Sequence, residues 1–451
     1  MTTDQVKGTQ SFSRSIDVLQ IISDQERPII FTDIFKKSDL TRPTLYRILS
    51  SLEEEGLIHK TKSKHYKLGS RLISLAHNAL AQFDIRRIAY SALSKLRDET
   101  GETVHLAIRS KDMMVYVDKF ETSIARYTGA KRGVATVNGT AALHIALKLA
   151  GVKSDDLVIT QSLTFVATCN AISYCGAKPL FIDVDLTTLS LSAAAMEEWL
   201  DNNAKLDFLG VCVTKKDSKV IKACLPMHTF GHPADLDDLI RVANKWNIAV
   251  VEDAAESLGS KYKGRHTGTF GISGALSFNG NKIITTGGGG MILTNEHLGS
   301  RAKHITTTAK IQHQFEYNHD EIGFNYRMPN LNAAMGCAQL EQLDTFLESK
   351  RHLAKYYHDF FKNTEMQFVL EPKDCNSNYW LNAIICENKK QRDQMLEITN
   401  KLGVMTRPVW SVMHRTKMYK QCLSGDLSSS DWLVDRLVNL PSSVTKEPRV
   451  E

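Results

Sequence analysis

The stretch SFNGNKIITTGGGGMI, residues 277–292, begins inside the apolar run GALSF, which is typical of a short buried strand. Lys282 comes five residues after Ser277, and two threonines then lead into four consecutive glycines. Glycine lacks a Cβ atom, so a loop of this kind lets the backbone approach a ligand closely. The stretch therefore predicts a binding loop at the end of a strand, in which Ser277 and Lys282 act together.

From about residue 122 onward, short apolar runs alternate with segments of helical pattern such as ADLDDLIRVANKW. The apolar runs are DLVIT, KPLFIDVD, KACLPMH, IAVVED, GALSF and MILTN. This alternation predicts an α/β fold with a mainly parallel sheet. Ligands of such sheets bind beyond the carboxyl ends of the strands, so we expect the functional residues there.

Two further motifs fall at predicted strand ends. NGTAALHIALKLAG, residues 138–151, opens a helix whose free N–H groups and positive dipole end suit a phosphate. VVEDAAESLGS, residues 250–260, ends a strand on an acidic pair that includes Asp253. Pyridoxal phosphate (PLP) needs a phosphate site, an acid to keep its pyridine nitrogen protonated, and a lysine for its aldehyde. Each motif alone also fits an ordinary helix start, strand end or surface lysine, and it is the ordered trio that predicts PLP.

The region from about 122 to 445 resembles the sugar-nucleotide aminotransferases of the DegT/DnrJ/StrS type, which have fold type I. The similar stretches are YTGAK, ATVNGTAALHIAL, TFVATCNAI, FIDVD, PMHTFGHPADLDDL, VEDAAESLGSKYKGRHTGTFG, SFNGNKIITTGGGGM and GFNYRMPNLNAAMGCAQLEQL. The resemblance implies a PLP-dependent transaminase that acts on a nucleotide-linked 4-keto-6-deoxy sugar, with glutamate as amino donor. TRPVWSVMH and RLVNLPSS further resemble members of bacillosamine- or legionaminic-type pathways.

The resemblance also implies roles for residues around the cofactor ring. Lys282 would be the Schiff-base lysine and the proton shuttle, and Asp253 would pair with the pyridine nitrogen. Phe165, in TFVAT, would stack on the ring. Glu256 would lie near the phenolic oxygen, where two anions repel, so we expect them to share one proton.

Further roles implied by the resemblance concern the phosphate and the partner molecules. Thr140, Ala141 and Ser277 would hold the phosphate. Asn325, in GFNYR, would reach the phosphate of a neighbouring subunit, which implies a homodimer. His228 is a candidate on the substrate side, and a core histidine is the alternative interpretation of that residue.

The first segment of the chain has a different pattern. SRSIDVLQIISD, FTDIFKKSD and LTRPTLYRILSSLEEEGLI predict three short helices, and IHKTKSKHYKL then alternates apolar and basic residues around a polar turn. Residues 10–70 thus predict a winged helix-turn-helix that binds duplex DNA; the alternative is a small helical domain with a solvated hairpin. The residues predicted to contact DNA are Arg42, Thr44 and Arg47 on the third helix and Lys60, Lys62 and Lys64 in the wing.

This segment resembles the IclR family of regulators over about residues 10–121. A linker helix would follow at about 71–98, and ETVHLAIRSKDMMVYVDKFET resembles the start of that family's effector-binding domain. The predicted fold is therefore α/β, a winged helix-turn-helix followed by a fold type I transferase with a small C-terminal α+β portion. Its predicted divisions are 10–70 (DNA-binding), 71–121 (linker and effector-domain fragment), 122–345 (PLP-binding) and 346–451 (C-terminal).

The chain departs from both families at the join. The aminotransferases carry an N-terminal arm before YTGAK, and IclR-like sequence stands in its place; their last helix is also expected to be missing after NLPSSVTKEPRVE. Three interpretations follow: a fused enzyme, a DNA-binding transcriptional regulator whose PLP domain acts as a sensor, or a catalytically impaired chimera.

Composition limits the remaining possibilities. The 451 residues carry a net charge of +6 and are 42% hydrophobic. We find no apolar stretch of about 18 residues and no signal peptide, so we expect neither a membrane span nor membrane association. The eight cysteines have no C-x-x-C spacing. We therefore expect no metal site and a cytoplasmic location.

Overall fold

The computed structural model describes residues 10–25, 28–61, 63–72, 115–311, 313 and 315–444. The chain divides into two compact units, one ending at Arg109 and one beginning at Ser110. Apart from its first two residues, the predicted linker helix lies outside the described residues. No helix in the described ranges is long and apolar enough to cross a membrane.

The first unit contains the three helices and the hairpin that the sequence predicts. Its elements are α1 Gln10–Ser23, β1 Ile29–Ile30, α2 Phe31–Lys37, α3 Arg42–Glu54, β2 Ile58–Lys60 and β3 His65–Leu68. The structure adds β1, which the sequence pattern missed because it is only two residues long, and the sheet order is β1-β3-β2. One face of α3 is buried through Leu45, Ile48, Leu49 and Leu52, as its helical spacing predicts. The opposite face is exposed.

The second unit is built on a seven-stranded sheet in the order β4-β14-β13-β10-β9-β5-β6, in which only β14 runs against the others. Its strands are β4 Arg132–Thr136, β5 Leu157–Gln161, β6 Lys178–Ile182, β9 Ile221–Leu225, β10 Ala249–Asp253, β13 Ser273–Ser277 and β14 Gly290–Thr294. All six predicted strands are present. The sequence analysis missed β4 because its five residues, RGVAT, form no continuous apolar run.

Helices and short strands surround this sheet. The helices are α4 Val115–Thr128, α5 Gly139–Leu149, α6 Val166–Tyr174, α7 Ala193–Asn203, α8 Leu236–Lys245, α9 Glu296–Thr306 and α10 Asn330–Leu340. The short strands are β7 Ala204–Leu206, β8 Cys212–Thr214, β11 Lys261–Tyr262, β12 Arg265–His266, β15 Lys310–Ile311 and β16 Asn318–His319. The hydrophobic core beneath α5 includes Leu143, Ile145 and Leu147 packed against the sheet, and His144 of the same helix is also buried.

The C-terminal portion is α+β, as predicted. A four-stranded antiparallel sheet has the order β17-β19-β21-β20. The elements of the C-terminal portion are α11 Leu343–Phe361, β17 Gln367–Phe368, β18 Cys375–Asn376, β19 Asn382–Ile385, α12 Lys389–Lys401, β20 Arg407–Pro408, α13 Ser428–Val434 and β21 Leu437–Leu440. Strand β18 is not part of this sheet and pairs with β11 of the PLP-binding portion. The two portions are therefore joined by strand pairing as well as by packing.

The predicted boundary between residues 121 and 122 falls inside helix α4, and the predicted boundary between residues 345 and 346 falls inside helix α11. Phe120 is fully buried and its ring centre lies 5.0 Å from that of Phe278, in the glycine-rich stretch. Glu121 accepts hydrogen bonds from the Ala135 N–H and from Lys303 Nζ, both at 2.7 Å. The segment that resembled the start of an effector domain therefore ends in a helix that belongs to the core of the second unit.

Candidate active site

The candidate site lies along the carboxyl edge of the seven-stranded sheet. β4, β10 and β13 run in the same direction, so their carboxyl ends meet at this edge. α5 follows the end of β4, Asp253 ends β10, and Ser277 ends β13. The fold thus brings together the three motifs that the sequence analysis singled out.

The start of helix α5 forms one end of the site. The Asn138 side chain caps the helix by accepting the Ala141 N–H at 2.7 Å. Ser277 lies against this helix start, since a Cβ on Gly139 would come within 2.8 Å of the Ser277 Cβ. Thr140 lies in the first turn of the helix, where backbone N–H groups have no acceptor within the helix, so its N–H is available to an anion. Ser277 thus adjoins the helix start at Gly139, next to Thr140 in the chain, whereas the Ala141 N–H is already bound by the cap.

The run of glycines allows the backbone to turn and to pack closely beside this helix. Gly287 has a φ of +76°, which side chains disfavour. At Gly290 a Cβ would lie 2.4 Å from the carbonyl oxygen of Asn138. Two of the four glycines are therefore required by backbone geometry, one for the turn and one for contact with the helix cap.

Lys282 projects from the loop between β13 and β14 toward the end of β10. Its Nζ lies 3.4 Å from Glu256 Oε1 and 3.9 Å from the centre of the Trp380 ring. The side chain is 12% exposed. Lys282 is therefore not a solvated surface lysine, which was the alternative interpretation of this residue.

Asp253 is buried at the end of β10. Its Oδ2 accepts a hydrogen bond from Thr168 Oγ1 at 2.7 Å, and its Oδ1 accepts the Ala255 N–H at 3.2 Å. Burial raises the pKa of this carboxyl above its usual value, while the Thr168 hydrogen bond acts in the opposite direction. A cationic partner within reach would favour its charged form.

Glu256 lies one helical turn's length further along the chain and is also buried. Its Oε2 accepts the Phe230 N–H at 3.0 Å. Burial raises the pKa of Glu256 to about 7, although the charge of Lys282 lowers it and that of Asp253 raises it further. The carboxyl can therefore hold a proton near neutral pH, and the sharing of a proton between Glu256 and the phenolic oxygen of the ring stays a prediction.

Phe165 precedes helix α6 and is 48% exposed. Its neighbour Thr164 bonds through its hydroxyl to Thr168, whose hydroxyl reaches Asp253. The ring of Trp410 lies edge-on to Phe165, with 6.2 Å between the ring centres. A half-exposed aromatic ring beside the buried acid is what ring stacking on a planar ligand requires.

His228 does not face a substrate, and this prediction needs correction. The side chain is fully buried. Its Nδ1 accepts the Ala234 N–H at 3.1 Å, so Nε2 carries the proton and donates it to Glu252 at 3.1 Å. Both ring nitrogens are committed inside the chain, which favours the alternative interpretation as a core histidine.

Asn325 lies apart from the other predicted residues, on the exposed strand segment that follows β16. It forms a β-bridge with Thr307, and the next residue, Tyr326, accepts the Val137 N–H at 2.8 Å. Asn325 itself is exposed. That exposure is compatible with the predicted contact to a neighbouring subunit, which stays a prediction.

Sequence reasoning missed Thr168 and Trp380. Thr168 stands three residues after Phe165 on helix α6, where helical spacing could have placed it beside the predicted ring-stacking residue. Trp380 comes 98 residues after Lys282 and no local pattern connects the two. Only the packing of the C-terminal portion against the sheet edge brings them together.

The predicted DNA-binding residues of the first unit differ in their freedom. Arg42 and Arg47 are both exposed, and the Arg42 guanidinium lies 5.3 Å from the centre of the Phe35 ring. The hydroxyl of Thr44 lies 2.8 Å from that of Thr41. In the wing, Lys60 contacts Tyr66, whose hydrogen bond raises the pKa of the lysine.

The turn of the wing contains the two other lysines that were predicted to bind DNA. Lys64 is exposed and has a left-handed backbone with φ of 62°. Lys62 lies outside the described residues. Among the described residues that were predicted to bind DNA, Arg42, Arg47 and Lys64 are exposed, and their contact with DNA stays a prediction.

One group of described residues could supply metal ligands, namely His304, Asp320 and Glu321, whose ligand atoms lie within 4.8 Å of one another. Arg301 already pairs with Glu321. His304 Nε2 lies 2.7 Å from Asp320 Oδ1. The prediction that this protein binds no metal stays a prediction.

The fold and the arrangement of lysine, acid and helix start define a fold type I, PLP-dependent aminotransferase. Residues 95–448 match the model of the DegT/DnrJ/EryC1/StrS aminotransferase family, and the chain belongs to that family. Residues 11–62 match the IclR helix-turn-helix domain. The aminotransferase match begins upstream of α4, which agrees with the corrected boundary.

Individual relatives support this assignment. The chain is 38% identical over 329 residues to a GDP-perosamine synthase of Escherichia coli O157:H7, covering 72% of this chain and 85% of that protein. It is 33% identical over 332 residues to a GDP-perosamine synthase of Caulobacter vibrioides, covering 72% and 85%. A solved DegT/DnrJ/EryC1/StrS aminotransferase of Brucella abortus matches with a TM-score of 0.68 and 25% identity, covering 82% of this chain and 94% of that one.

The residues at the sheet edge fit PLP. The cradle between Gly139 and Ser277 suits a phosphate because no side chain separates the helix start from the serine. Asp253 is a buried acid whose charge would be favoured by a protonated ring nitrogen. Lys282 is a partly buried amine at the same edge, and Phe165 offers an open aromatic face.

Proposed function

We propose that this protein transfers the amino group of glutamate to the keto carbon of a nucleotide-linked 4-keto-6-deoxy sugar. The observation that carries the proposal is the meeting of Lys282, Glu256 and Asp253 at the edge where helix α5 begins. A lysine amine beside a carboxyl of near-neutral pKa can take and return protons around pH 7. The named relatives, both GDP-perosamine synthases, favour GDP as the nucleotide.

Lys282 would hold the cofactor and move the proton that transamination requires. Its Nζ is within 3.4 Å of Glu256 Oε1, so a proton can be shared between the two groups. The PLP ring, when bound, supplies the electron sink that makes the proton on the donor carbon removable. The chain's own contribution is to place an amine and a proton-holding carboxyl at one point.

Asp253 and Phe165 would orient the ring. Thr168 fixes the Asp253 carboxylate by a hydrogen bond of 2.7 Å, which leaves little freedom for that side chain. An anion at this point would retain a proton on the ring nitrogen. Phe165 would cover one ring face, and its exposure allows this without rearrangement of the core.

The phosphate would bind at the start of α5. The Thr140 N–H and the Ser277 hydroxyl are donors on the two sides of the cradle, and the helix dipole favours an anion there. The Ala141 N–H, bound by Asn138, would contribute only indirectly by keeping the helix start rigid. Asn325 of a second subunit would complete the phosphate site in a homodimer.

A second function is favoured by the first unit, which would bind duplex DNA through α3 and the wing. Arg47 and Lys64 are exposed, as contacts to base edges and phosphates require. The chain would then be a regulator whose PLP unit senses the substrates, or an enzyme held on DNA. Salt-dependent binding to DNA distinguishes this function from a hairpin that is merely solvated.

We further propose that this protein converts the sugar more slowly than its relatives do. In the related aminotransferases an N-terminal arm is expected to line the sugar site, and in this chain IclR-like sequence replaces that arm. Contacts remote from the reacting atoms lower the barrier, and their loss reduces turnover more than cofactor binding. The test compares this chain with a variant that carries an aminotransferase-type arm grafted immediately before Val115. The graft precedes α4 because that helix belongs to the core.

Two measurements separate the steps. Release of 2-oxoglutarate from glutamate, in a single turnover, reports the donor half of the reaction, and amino-sugar formation by chromatography reports the whole. We expect similar release in both chains and much greater amino-sugar formation in the grafted one. Equal sugar turnover would show that the arm is dispensable, and no 2-oxoglutarate from either chain would contradict the proposed activity.

A further inference from the structure

A buried segment of the C-terminal portion, residues 378–380, is hydrogen-bonded to the loop that carries Glu256. Asn378 Nδ2 donates to the carbonyl oxygens of Glu256 at 2.8 Å and of Leu258 at 2.9 Å. Its Oδ1 accepts the Trp380 N–H at 2.8 Å. The amide of Asn378 therefore fixes the main chain of Trp380 relative to Glu256.

The side chain of Trp380 reaches the other loop of the site. Its indole Nε1 donates to the Asn281 carbonyl oxygen at 2.7 Å, next to Lys282 in the chain. The ring face lies 3.9 Å from Lys282 Nζ, and the residue is 5% exposed. The negative face of an aromatic ring attracts an ammonium group, most strongly when water is excluded. Trp380 thus contacts both the backbone and the amine of the lysine loop.

A third contact anchors Trp380 from behind. Lys350, buried on α11, donates from Nζ to the carbonyl oxygens of Trp380 at 3.0 Å and of Ser442 at 2.6 Å. A buried lysine without acceptors would be costly, so these two bonds make the position of the carbonyl group strongly determined. The tryptophan is consequently held on its main-chain side as well as through its indole.

We propose that Trp380 is a positioning residue that, together with Glu256, holds the protonated amine of Lys282 at the reacting edge whenever that amine is not bound to the cofactor. The inference rests on the proposed role of Lys282. The ring supplies a face for the ammonium group, Glu256 supplies an acceptor 3.4 Å away, and the indole N–H fixes the loop. Without these contacts, the lysine side chain would be free to sample many rotamers whenever it is not attached to the cofactor.

The test measures the reactivity of Lys282 in the full chain freed of cofactor. Trace acetic anhydride acetylates only unprotonated, accessible amines, and mass spectrometry compares the Lys282 peptide with that of exposed Lys205. We expect Trp380→Leu to acetylate at Lys282 about threefold faster or more, because the cation–π contact is lost. Trp380→Phe, which retains an aromatic face, should react at close to the wild-type rate.

Trp432→Leu is the matched control, because Trp432 is a partly exposed tryptophan whose ring faces Arg436 rather than Lys282. It should leave the Lys282 rate unchanged. If Trp380→Leu does not fold, as judged by circular dichroism, Trp380→Met fills similar space without a ring and should show the same acceleration. A wild-type rate in the folded leucine or methionine variant would overturn the proposal, as would equal acceleration in Trp380→Phe.

A parallel measurement keeps this inference separate from the proposed function. Borohydride reduction of the wild-type protein with PLP tests attachment at Lys282 without reference to Trp380. If PLP is attached at Lys282 but acetylation is unchanged in Trp380→Leu and Trp380→Met, only the proposed role of Trp380 is overturned. Absence of attachment would contradict the role of Lys282, on which the inference rests, and would overturn both.

Discussion

At the scale of single residues, three buried carboxylates near the end of β10 differ in their partners and therefore in their chemistry. Glu252 is surrounded by donors: His228 and the N–H groups of Gly268, Phe270 and Gly271. Burial opposes its charge, but the hydrogen bonds from His228 and the backbone lower its pKa on balance. Its neighbours along the chain, Asp253 and Glu256, have fewer donors and raised pKa values, so Glu252 is structural and the other two remain available.

The raised pKa of Glu256 leads to a prediction about stability. An acid whose folded pKa exceeds its unfolded value stabilises the fold below the unfolded pKa, and this contribution is lost as pH rises through the folded pKa. The relevant window extends from the ordinary value of 4.5 to about 7. Glu256→Gln cannot ionise and does not lose this contribution. As pH rises across that window, the free energy of unfolding of Glu256→Gln should therefore increase by about 1 to 3 kcal/mol relative to that of the wild type.

Chemical denaturation of both proteins at the two ends of this window checks the prediction. Glu348→Gln, an exchange at an exposed position of helix α11, is the control and should leave the pH dependence unchanged. A difference between Glu256→Gln and wild type that is constant with pH would contradict the assignment of a raised pKa.

The corrected role of His228 gives the second residue-scale prediction. His228→Leu removes a donor from a fully buried carboxylate, and leaving such a charge short of a partner costs about 2 to 4 kcal/mol. We therefore expect a lower free energy of unfolding in urea, with KM for the sugar unchanged in the fraction that folds. A variant of normal stability with a raised KM would restore the substrate-side interpretation.

At the scale of secondary-structure elements, the sequence predicted the segments that form the site better than the packing of other elements around them. The motifs at the starts of α5 and of the Lys282 loop, and at the end of β10, are local patterns, and parallel strand order brings their ends together. The role of Trp380 depends on packing between elements far apart in the chain, which no local pattern records. The boundary at residue 121 failed because α4 combines IclR-like residues with a buried face, and burial is decided by the partner element.

Helix α4 gives a prediction of its own. Phe120→Ala should destabilise the second unit by about 3 to 5 kcal/mol, because it leaves a cavity between α4 and the loop that contains Phe278. Tyr116→Ala, on the exposed side of the same helix, should cost little. Thermal unfolding compares the two variants, and equal effects would contradict the placement of α4 in the core.

The wing and α3 give a further element-scale prediction. Lys64→Ala should reduce the slope of log affinity against log salt by about 0.9, the value for one phosphate contact, while affinity falls for all sequences alike. Arg47→Ala should weaken binding by about 1 to 3 kcal/mol and relax sequence preference if it meets a base edge. Lys205→Ala in the second unit is the control, and fluorescence anisotropy at several salt concentrations measures all three. Binding that does not respond to salt would contradict a phosphate-directed wing.

At the scale of the whole molecule, the chain combines two compact units with separate cores. Among the described residues, the first has a core of ten buried residues around α3, and the second is organised by the seven-stranded sheet. Each unit has a hydrophobic core of its own among the described residues, and each matches the model of a different family. The residues proposed to hold PLP all belong to the second unit.

The residue that holds PLP can be identified directly by chemical trapping. The full chain is incubated with PLP, reduced with borohydride, digested and analysed by mass spectrometry, beside Lys282→Arg and the control Lys303→Arg. We predict one pyridoxyl group, on the peptide that contains Lys282, lost in Lys282→Arg and retained in Lys303→Arg. A modification that persists in Lys282→Arg, or none in the wild-type chain, would contradict the central claim that Lys282 is the cofactor lysine.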